Sequence, residues 1–154
     1  MIIKGSLPET VSPLHFQNMN QITILFVDDH PLIRKAWEFL LNQDSRFKVV
    51  GGCESGEIAV ELSGKLCPDI IIMDIQLRGM SGIEAAGVIA KTCPHSKIIG
   101  LSYHALPEYA QKMIEFGAKG YLTKTSSPEE IFKALLEVHS GGTYICEEMS
   151  DKLV

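Results

Sequence analysis

The stretch DIIIMD, residues 69–74, places four apolar residues in a row between two aspartates. A run this short and this uniformly apolar predicts a strand covered on both faces, as in parallel sheets. Four similar runs, ITILFVD, FKVVGGC, KIIGLS and KGYLT, occur along the chain, each followed by a stretch of helical periodicity. Strands that alternate with helices favour a parallel sheet with helices on both sides. The pattern therefore predicts an α/β domain of five strands and five helices.

The helical stretches carry apolar residues at the spacing of one helix face. In the first helix, PLIRKAWEFLLNQ, we expect Ile33, Ala36 and Leu40 to face the sheet. In the second, SGEIAVELSGKL, we expect Ile58 and Leu62 to face it.

Composition limits the classes of protein to which the chain can belong. Its 154 residues suit one domain with a substantial core, and its net charge of -5 gives no overall attraction to nucleic acid or anionic membrane. No apolar run approaches the ~20 residues that span a bilayer. The cysteines include no C-x-x-C pair, which favours reduced thiols in a cytoplasmic protein over disulfides or zinc; they are Cys53, Cys67, Cys93 and Cys146.

The first 21 residues differ from the rest of the chain. They contain two prolines and scattered polar residues without clear periodicity. We interpret residues 1–21 as a disordered tail, or as sequence added ahead of a natural start at Met19. A short N-terminal helix is the alternative. The ordered domain is then expected to begin at Ile22.

Polar residues gather where the predicted strands end. Asp28 and Asp29 end the first strand, Asp74 the third and Ser102 the fourth, and Lys124 follows the fifth. In a parallel sheet these positions face one crevice, where ligands bind. Three carboxylates need more positive charge than one lysine supplies, and a divalent cation with oxygen ligands meets that need. Mg²⁺ suits the site because it binds one or two carboxylates and keeps water and phosphate oxygens.

A carboxylate beside Mg²⁺ and a lysine is suited to accept a phosphoryl group. Aspartate can act as the nucleophile and form an aspartyl phosphate, while the cations neutralise charge on the phosphoryl oxygens. Each residue alone has a simpler explanation, such as a helix cap, a surface charge or a loop hydroxyl. Their coincidence at one predicted sheet edge favours the phosphoacceptor site.

Four segments carry a family resemblance: ILFVDDHPLIRKA, DIIIMDIQLRGMSGIEAA, IIGLS and GAKGYLTKTSSPEEIFKAL. They resemble the receiver domain of two-component response regulators, over residues 22–142. The resemblance implies a flavodoxin-like (CheY-like), doubly wound sheet with strand order 2-1-3-4-5. It also implies a histidine kinase as partner, and phosphorylation and dephosphorylation of the domain itself as its only catalysis.

The same resemblance assigns roles to residues. Asp74 would be the phosphoacceptor, with Ser102 and Lys124 contacting the phosphoryl group. Tyr121 would be the switch aromatic, whose rotamer changes when the serine moves. Mg²⁺ would be held by four residues, the last through its backbone carbonyl: Asp28, Asp29, Asp74 and Gln76.

The segments VDDHPLIRKA, GAKGYLTK, SSPEEI and VHSGGTYI are similar to NarL/FixJ-like regulators, whose receivers usually precede a LuxR-type DNA-binding domain. Residues 143–154 would lead to that output domain, and only it would contact DNA. Two departures from many receivers are Leu77-Arg78 in place of Met-Pro, and Thr125 in place of a proline after the lysine. Neither removes a chemical group, so we expect an active receiver.

Other functions compete with a transcriptional switch. A stand-alone receiver or phosphate carrier stays open, as does a homodimer through the fourth helix, fifth strand and fifth helix. A phosphatase of the haloacid dehalogenase type would carry D-x-D on the nucleophile strand, whereas Asp74 is followed by Ile75 and Gln76. A flavodoxin-like binding domain would not need the lysine and the carboxylates together.

Overall fold

The computed structural model describes residues 21–152. Six strands in this range form one sheet in the order β2-β1-β3-β4-β5-β6, and every neighbouring pair is parallel. The strands are β1 (Ile22–Val27), β2 (Phe47–Cys53), β3 (Ile70–Asp74), β4 (Lys97–Ser102), β5 (Gly120–Thr123) and β6 (Tyr144–Ile145). The helices are α1 (Pro31–Asn42), α2 (Gly56–Leu66), α3 (Gly82–Thr92), α4 (Pro107–Glu115), α5 (Pro128–His139) and α6 (Glu147–Ser150).

The prediction of five strands and five helices was wrong, because β6 and α6 were missed. β6 has two residues and α6 has four, so neither is long enough to show alternation or helical periodicity. β6 forms because the N–H groups of Tyr144 and Cys146 donate to the carbonyls of Lys119 and Tyr121, at 3.1 and 3.0 Å. Cys146 and Met149 are buried, so this segment packs on the domain. The expected order of the first five strands is confirmed.

The centre of the sheet is covered on both faces, as the run DIIIMD predicts. All five residues of β3 are buried, and β1 and β4 each have a single partly exposed residue. β3 lies between β1 and β4. The carboxyl ends of these three strands therefore form a rigid edge.

The predicted inward faces of α1 and α2 were only partly correct. In α1, Ile33 and Leu40 pack against the core, but Ala36 is exposed. The fully buried positions of that helix are Trp37 and Leu41. In α2, Ile58 is 38% exposed and the buried positions are small ones, Gly56, Ala59 and Ser63. Leu62 packs against the core as predicted, so in each helix the predicted face overlaps the observed one without including its most buried positions.

The described range begins just before β1. Gln21 is the first residue in it, and its side chain donates to the carbonyl of Ser45 at 3.1 Å. The rest of the predicted tail, residues 1–20, lies outside the described residues. Among the helices of the described range, none is both long enough and apolar enough to cross a membrane.

One glycine lets the chain fold back beside Asp74. After β3 the chain makes a loop, and Gly82 begins α3 with its N–H donating to the carbonyl of Ile75 at 3.2 Å. A Cβ at Gly82 would overlap the carbonyl oxygen of Asp74 and lie 2.7 Å from the Ile75 Cα. Because these are backbone atoms, they cannot rotate away. The absence of a side chain at Gly82 therefore allows α3 to start directly against the end of β3.

We predict that Gly82→Ala lowers the free energy of unfolding by about 2 kcal/mol or more, because the new methyl group displaces the backbone at Asp74. The matched control is Gly64→Ala in α2, where an added Cβ meets no atom within 4 Å. That variant should gain about 0.5–1 kcal/mol from helix propensity. Urea unfolding of both variants measures the difference. Equal stabilities would contradict this account of Gly82.

Candidate functional site

The structure brings the five predicted strand-end residues to one edge of the sheet. Asp28 and Asp29 follow β1, Asp74 ends β3, Ser102 ends β4 and Lys124 follows β5. Asp28 and Asp74 are buried, at 0% and 2% exposure, and Asp29 is partly exposed. Two parallel strands, β1 and β3, pair side by side and hold the aspartates together.

Lys124 lies between two of the aspartates. Its Nζ is 2.7 Å from Asp28 Oδ2 and 2.9 Å from Asp74 Oδ2, and its side chain is only 2% exposed. Burial alone would lower the pKa of Lys124, but the two carboxylates outweigh burial and raise it. Lys124 is therefore a fixed positive charge at neutral pH.

The pKa of Asp74 is raised, because burial disfavours its ionised form. Lys124 and the backbone N–H of Gln76, which donates to Asp74 Oδ1 at 2.9 Å, oppose that effect without cancelling it. The charge of Asp28 adds to the rise. One lysine thus leaves the buried carboxylates short of positive charge.

Two carboxylate oxygens in the site lack hydrogen-bond partners among the described residues. They are Asp28 Oδ2 and Asp29 Oδ1, whose contacts are ion pairs with Lys124 Nζ at 2.7 Å and with His30 Nδ1 at 3.0 Å. Both atoms are buried, where an unpaired carboxylate oxygen is costly. A cation bound between the aspartates would satisfy them. The residues present therefore fit a divalent cation such as Mg²⁺, which takes oxygen ligands.

Ser102 is engaged with Tyr121. Its Oγ donates to the carbonyl of His104 at 2.7 Å and lies 2.8 Å from the Tyr121 hydroxyl. The Tyr121 ring is fully buried, and burial raises its pKa to about 12. The ring fits because the neighbouring residue on β4 is Gly100, where a Cβ would lie 3.0 Å from the ring. In this structure the predicted switch residues are thus joined by a hydrogen bond.

Three residues of the site were not singled out from the sequence. His30 Nδ1 lies 2.8 Å from Asp28 Oδ1 and 3.0 Å from Asp29 Oδ1. Arg34 donates to the backbone carbonyl of Asp28 at 2.6 Å. The ring of Tyr103 covers the Lys124 ammonium at 4.6 Å. The available signal was proximity in sequence, since His30 directly follows the two aspartates and Tyr103 directly follows Ser102.

The arrangement has the elements of an acceptor for an anionic group. It combines a buried carboxylate, a fixed ammonium 2.9 Å from that carboxylate, and unpaired oxygens suited to a metal ion. Positive charge placed in this way stabilises developing negative charge on a transferred phosphoryl group. Deep burial strengthens each of these interactions.

The chain is similar to known regulators along most of its length. Curated relatives include the transcriptional regulatory protein DegU of Brevibacillus brevis, 36% identical over 137 residues, and the response regulator UvrY of Escherichia coli strain K12, 35% identical over 132 residues. The alignments cover 89% and 86% of this chain, but 58% and 61% of the relatives' own length. A solved LuxR-family two-component response regulator from Aurantimonas sp. SI85-9A1 has a TM-score of 0.83 and 30% identity, over 86% of this chain and 95% of that one.

The structural likeness confirms the CheY-like α/β fold. The family described as response regulator receiver domain matches residues 24–136. Because that range holds both buried aspartates and the lysine between them, the match includes the site as well as the fold. This chain therefore belongs to the response regulator receiver domain family, the receivers of two-component signalling.

Proposed function

We propose that Asp74 accepts a phosphoryl group from a histidine kinase. The observation that carries the proposal is the buried Lys124 held between Asp28 and Asp74, at 2.7 and 2.9 Å. An Asp74 oxygen would attack the phosphorus of the kinase phosphohistidine. The O–P bond then forms as the N–P bond breaks, and the electron pair leaves with the imidazole nitrogen. Lys124 stays beside Asp74 and pairs with the oxygens of the transferred group.

The metal would be held by Asp28, Asp29, Asp74 and the backbone carbonyl of Gln76. When bound, Mg²⁺ would supply positive charge to the phosphoryl oxygens. The buried oxygens of Asp28 and Asp29 that accept no hydrogen bond among the described residues support this assignment. Gln76 is already tied to the site, because its N–H donates to Asp74 Oδ1.

The proposed chemistry is confined to the domain itself. Receivers are typically signalling domains rather than enzymes, and we propose that this one catalyses only its own phosphorylation and dephosphorylation. A phosphatase of the haloacid dehalogenase type would carry D-x-D on the nucleophile strand. Here Asp74 is followed by Ile75 and Gln76, so the second aspartate of that pattern is missing.

The proposed output is transcription regulation through a LuxR-type DNA-binding domain outside this chain. Its support is the similarity to DegU, which is named a transcriptional regulatory protein, and to the LuxR-family structure. In this proposal residues 22–142 are the receiver and 143–154 lead to the output domain. The cytoplasmic location and a homodimer stay predictions.

The structure supports a route by which phosphorylation would reach the C-terminal segment. A phosphoryl group on Asp74 would draw the Ser102 hydroxyl away from His104 and Tyr121, because charged acceptors bind a hydroxyl more strongly than neutral ones. The loop after Ser102 would then lose its anchor. Lys152 donates to the carbonyl of Ala105 in that loop at 3.1 Å. A shift of the loop would therefore change the contact between Ala105 and Lys152, the last residue that the structure describes.

We predict that acetyl phosphate and Mg²⁺ add one phosphoryl mass to the protein and that Asp74→Asn abolishes the addition. The amide has the shape of the carboxyl group but is not a nucleophile here. Intact mass spectrometry measures the product. Asp44→Asn is the matched control, because Asp44 is paired with Arg46 on the surface and should leave labelling unchanged. EDTA should prevent labelling of both the parent protein and the control.

Labelling that persists in Asp74→Asn would contradict the phosphoacceptor assignment. Labelling that persists in EDTA would contradict the metal requirement alone.

We predict that Asp74→Asn raises the melting temperature of the metal-free protein at pH 7. The pKa of Asp74 is raised in the fold, so its ionised form costs folding free energy above that pKa. The cost disappears as the pH falls through the raised pKa, where the folded protein takes up the proton first. The stabilisation by Asn should therefore shrink on acidification. A variant less stable than the parent at pH 7 would show that the ion pair with Lys124 outweighs burial.

We predict that phosphorylation, or a beryllofluoride mimic, shifts the amide resonances of Ser102, Tyr103, Ala105 and Tyr121. Residues near Lys152 should also shift, because its contact with Ala105 depends on the loop. Ser102→Ala should reduce the distant shifts while leaving phosphorylation detectable by mass. Shifts confined to the surroundings of Asp74 would instead favour a passive phosphate carrier.

A further inference from the structure

His30 lies in the site but has no role in the phosphoryl transfer proposed above. Its Nδ1 is 2.8 Å from Asp28 Oδ1 and 3.0 Å from Asp29 Oδ1. Ligand atoms of His30, Asp28, Asp29 and Asp74 all lie within 4.8 Å of one another. The side chain of His30 is 56% exposed, so its other ring nitrogen can bond to water. On the side that faces the aspartates, Nδ1 contacts Asp28 through a hydrogen bond and Asp29 as an ion-pair partner, and a metal ion bound there would replace these contacts.

These separations match those of neighbouring ligands around one metal ion. Two adjacent ligands of an octahedral ion with bonds of about 2.1 Å are about 3.0 Å apart. The distances from His30 Nδ1 to the two aspartate oxygens are 2.8 and 3.0 Å. Asp29 Oδ1 is buried and accepts no hydrogen bond among the described residues, so its contact here is the ion pair with His30 Nδ1. A cation bonded to these three atoms would therefore need little movement of the side chains.

The backbone holds His30 in this position. Its N–H donates to Asp28 Oδ1 at 2.8 Å, and the residue is the N-cap of α1, just before Pro31. Pro31 restricts the residue before it to extended conformations, which agrees with the φ of -102° and ψ of 109° at His30. The ring is thus presented to Asp28 and Asp29 by a constrained segment rather than by a flexible loop.

We infer that His30 Nδ1 is a metal ligand, and that it raises the affinity of this site for divalent transition metals relative to its affinity for Mg²⁺. Imidazole nitrogen suits Ni²⁺, Cu²⁺ and Zn²⁺, whereas Mg²⁺ takes oxygen ligands and retains water. As a ligand, His30 adds one nitrogen to the carboxylate oxygens, so it strengthens binding of Ni²⁺, Cu²⁺ and Zn²⁺ and contributes little to binding of Mg²⁺. The inference rests on the metal role proposed for Asp28 and Asp29, but not on phosphorylation of Asp74.

The test is calorimetric titration of the metal-free, untagged protein with Ni²⁺ alone and with Mg²⁺ alone. His30→Ala should weaken Ni²⁺ binding by at least about tenfold and change Mg²⁺ binding by less than about threefold. His95→Ala is the matched control, because His95 is an exposed histidine that pairs with an aspartate, Asp69, just before β3. His95→Ala should change the affinity for neither Ni²⁺ nor Mg²⁺. Asp29→Ala should weaken both, which places the titrated ion in this site.

Electron paramagnetic resonance of the Cu²⁺ complex tests the bond itself. The parent protein should show nitrogen hyperfine splitting that His30→Ala lacks and His95→Ala keeps. Equal weakening of Ni²⁺ and Mg²⁺ in His30→Ala would make His30 a positioning residue for the aspartates and overturn the inference. Unchanged Ni²⁺ binding would overturn it as well. Failure of Asp74 labelling with an intact Ni²⁺ result would contradict only the proposed phosphotransfer.

Discussion

The site depends on one buried lysine among three carboxylates. Lys124 is held between Asp28 and Asp74, while Asp29 lies beside them at the partly exposed rim. Burying such charges costs more than their attraction returns unless every polar atom is satisfied. Two oxygens remain unsatisfied among the described residues. The carboxylates at this edge therefore carry more negative charge than Lys124 balances, and a bound cation would reduce the excess.

The domain can remain folded despite this excess of negative charge because the centre of the sheet is buried and apolar. β3 is buried along its whole length, and its last residue is Asp74 itself. At the same edge, Gly82 lets α3 start against the end of β3, and Gly100 makes space for the Tyr121 ring. Hydrophobic packing thus contributes the stability that the charged edge lacks. The two glycines allow α3 and the Tyr121 ring to approach the strands closely. The buried carboxylates are thus located where the surrounding apolar core can offset the free energy that their burial costs.

The sequence predicts this fold well where one pattern dominates. Five strands were predicted because each combines an apolar run with a turn, and parallel pairing then places Asp28, Asp74 and Lys124 at the same edge. The prediction failed where tertiary contacts decide. β6 forms by pairing with β5, which no two-residue pattern can indicate. In α2, Leu62 faces the core as predicted, but the small residues Ala59 and Ser63 allow close approach and are buried in place of Ile58.

Side-chain partners are predictable from sequence only when the backbone fixes them. His30 could have been found, because it follows two aspartates and precedes the proline that begins α1. The bond between Ser102 and Tyr121 could not, because it depends on the ring being buried beside Gly100. Ser102 Oγ already donates its hydrogen to the His104 carbonyl, so the Tyr121 hydroxyl is the donor in its bond with Ser102. A hydroxyl donates one hydrogen bond at a time. In the proposed function, a phosphoryl group on Asp74 would compete with the His104 carbonyl for this hydrogen, and the loop that Lys152 contacts would change with it.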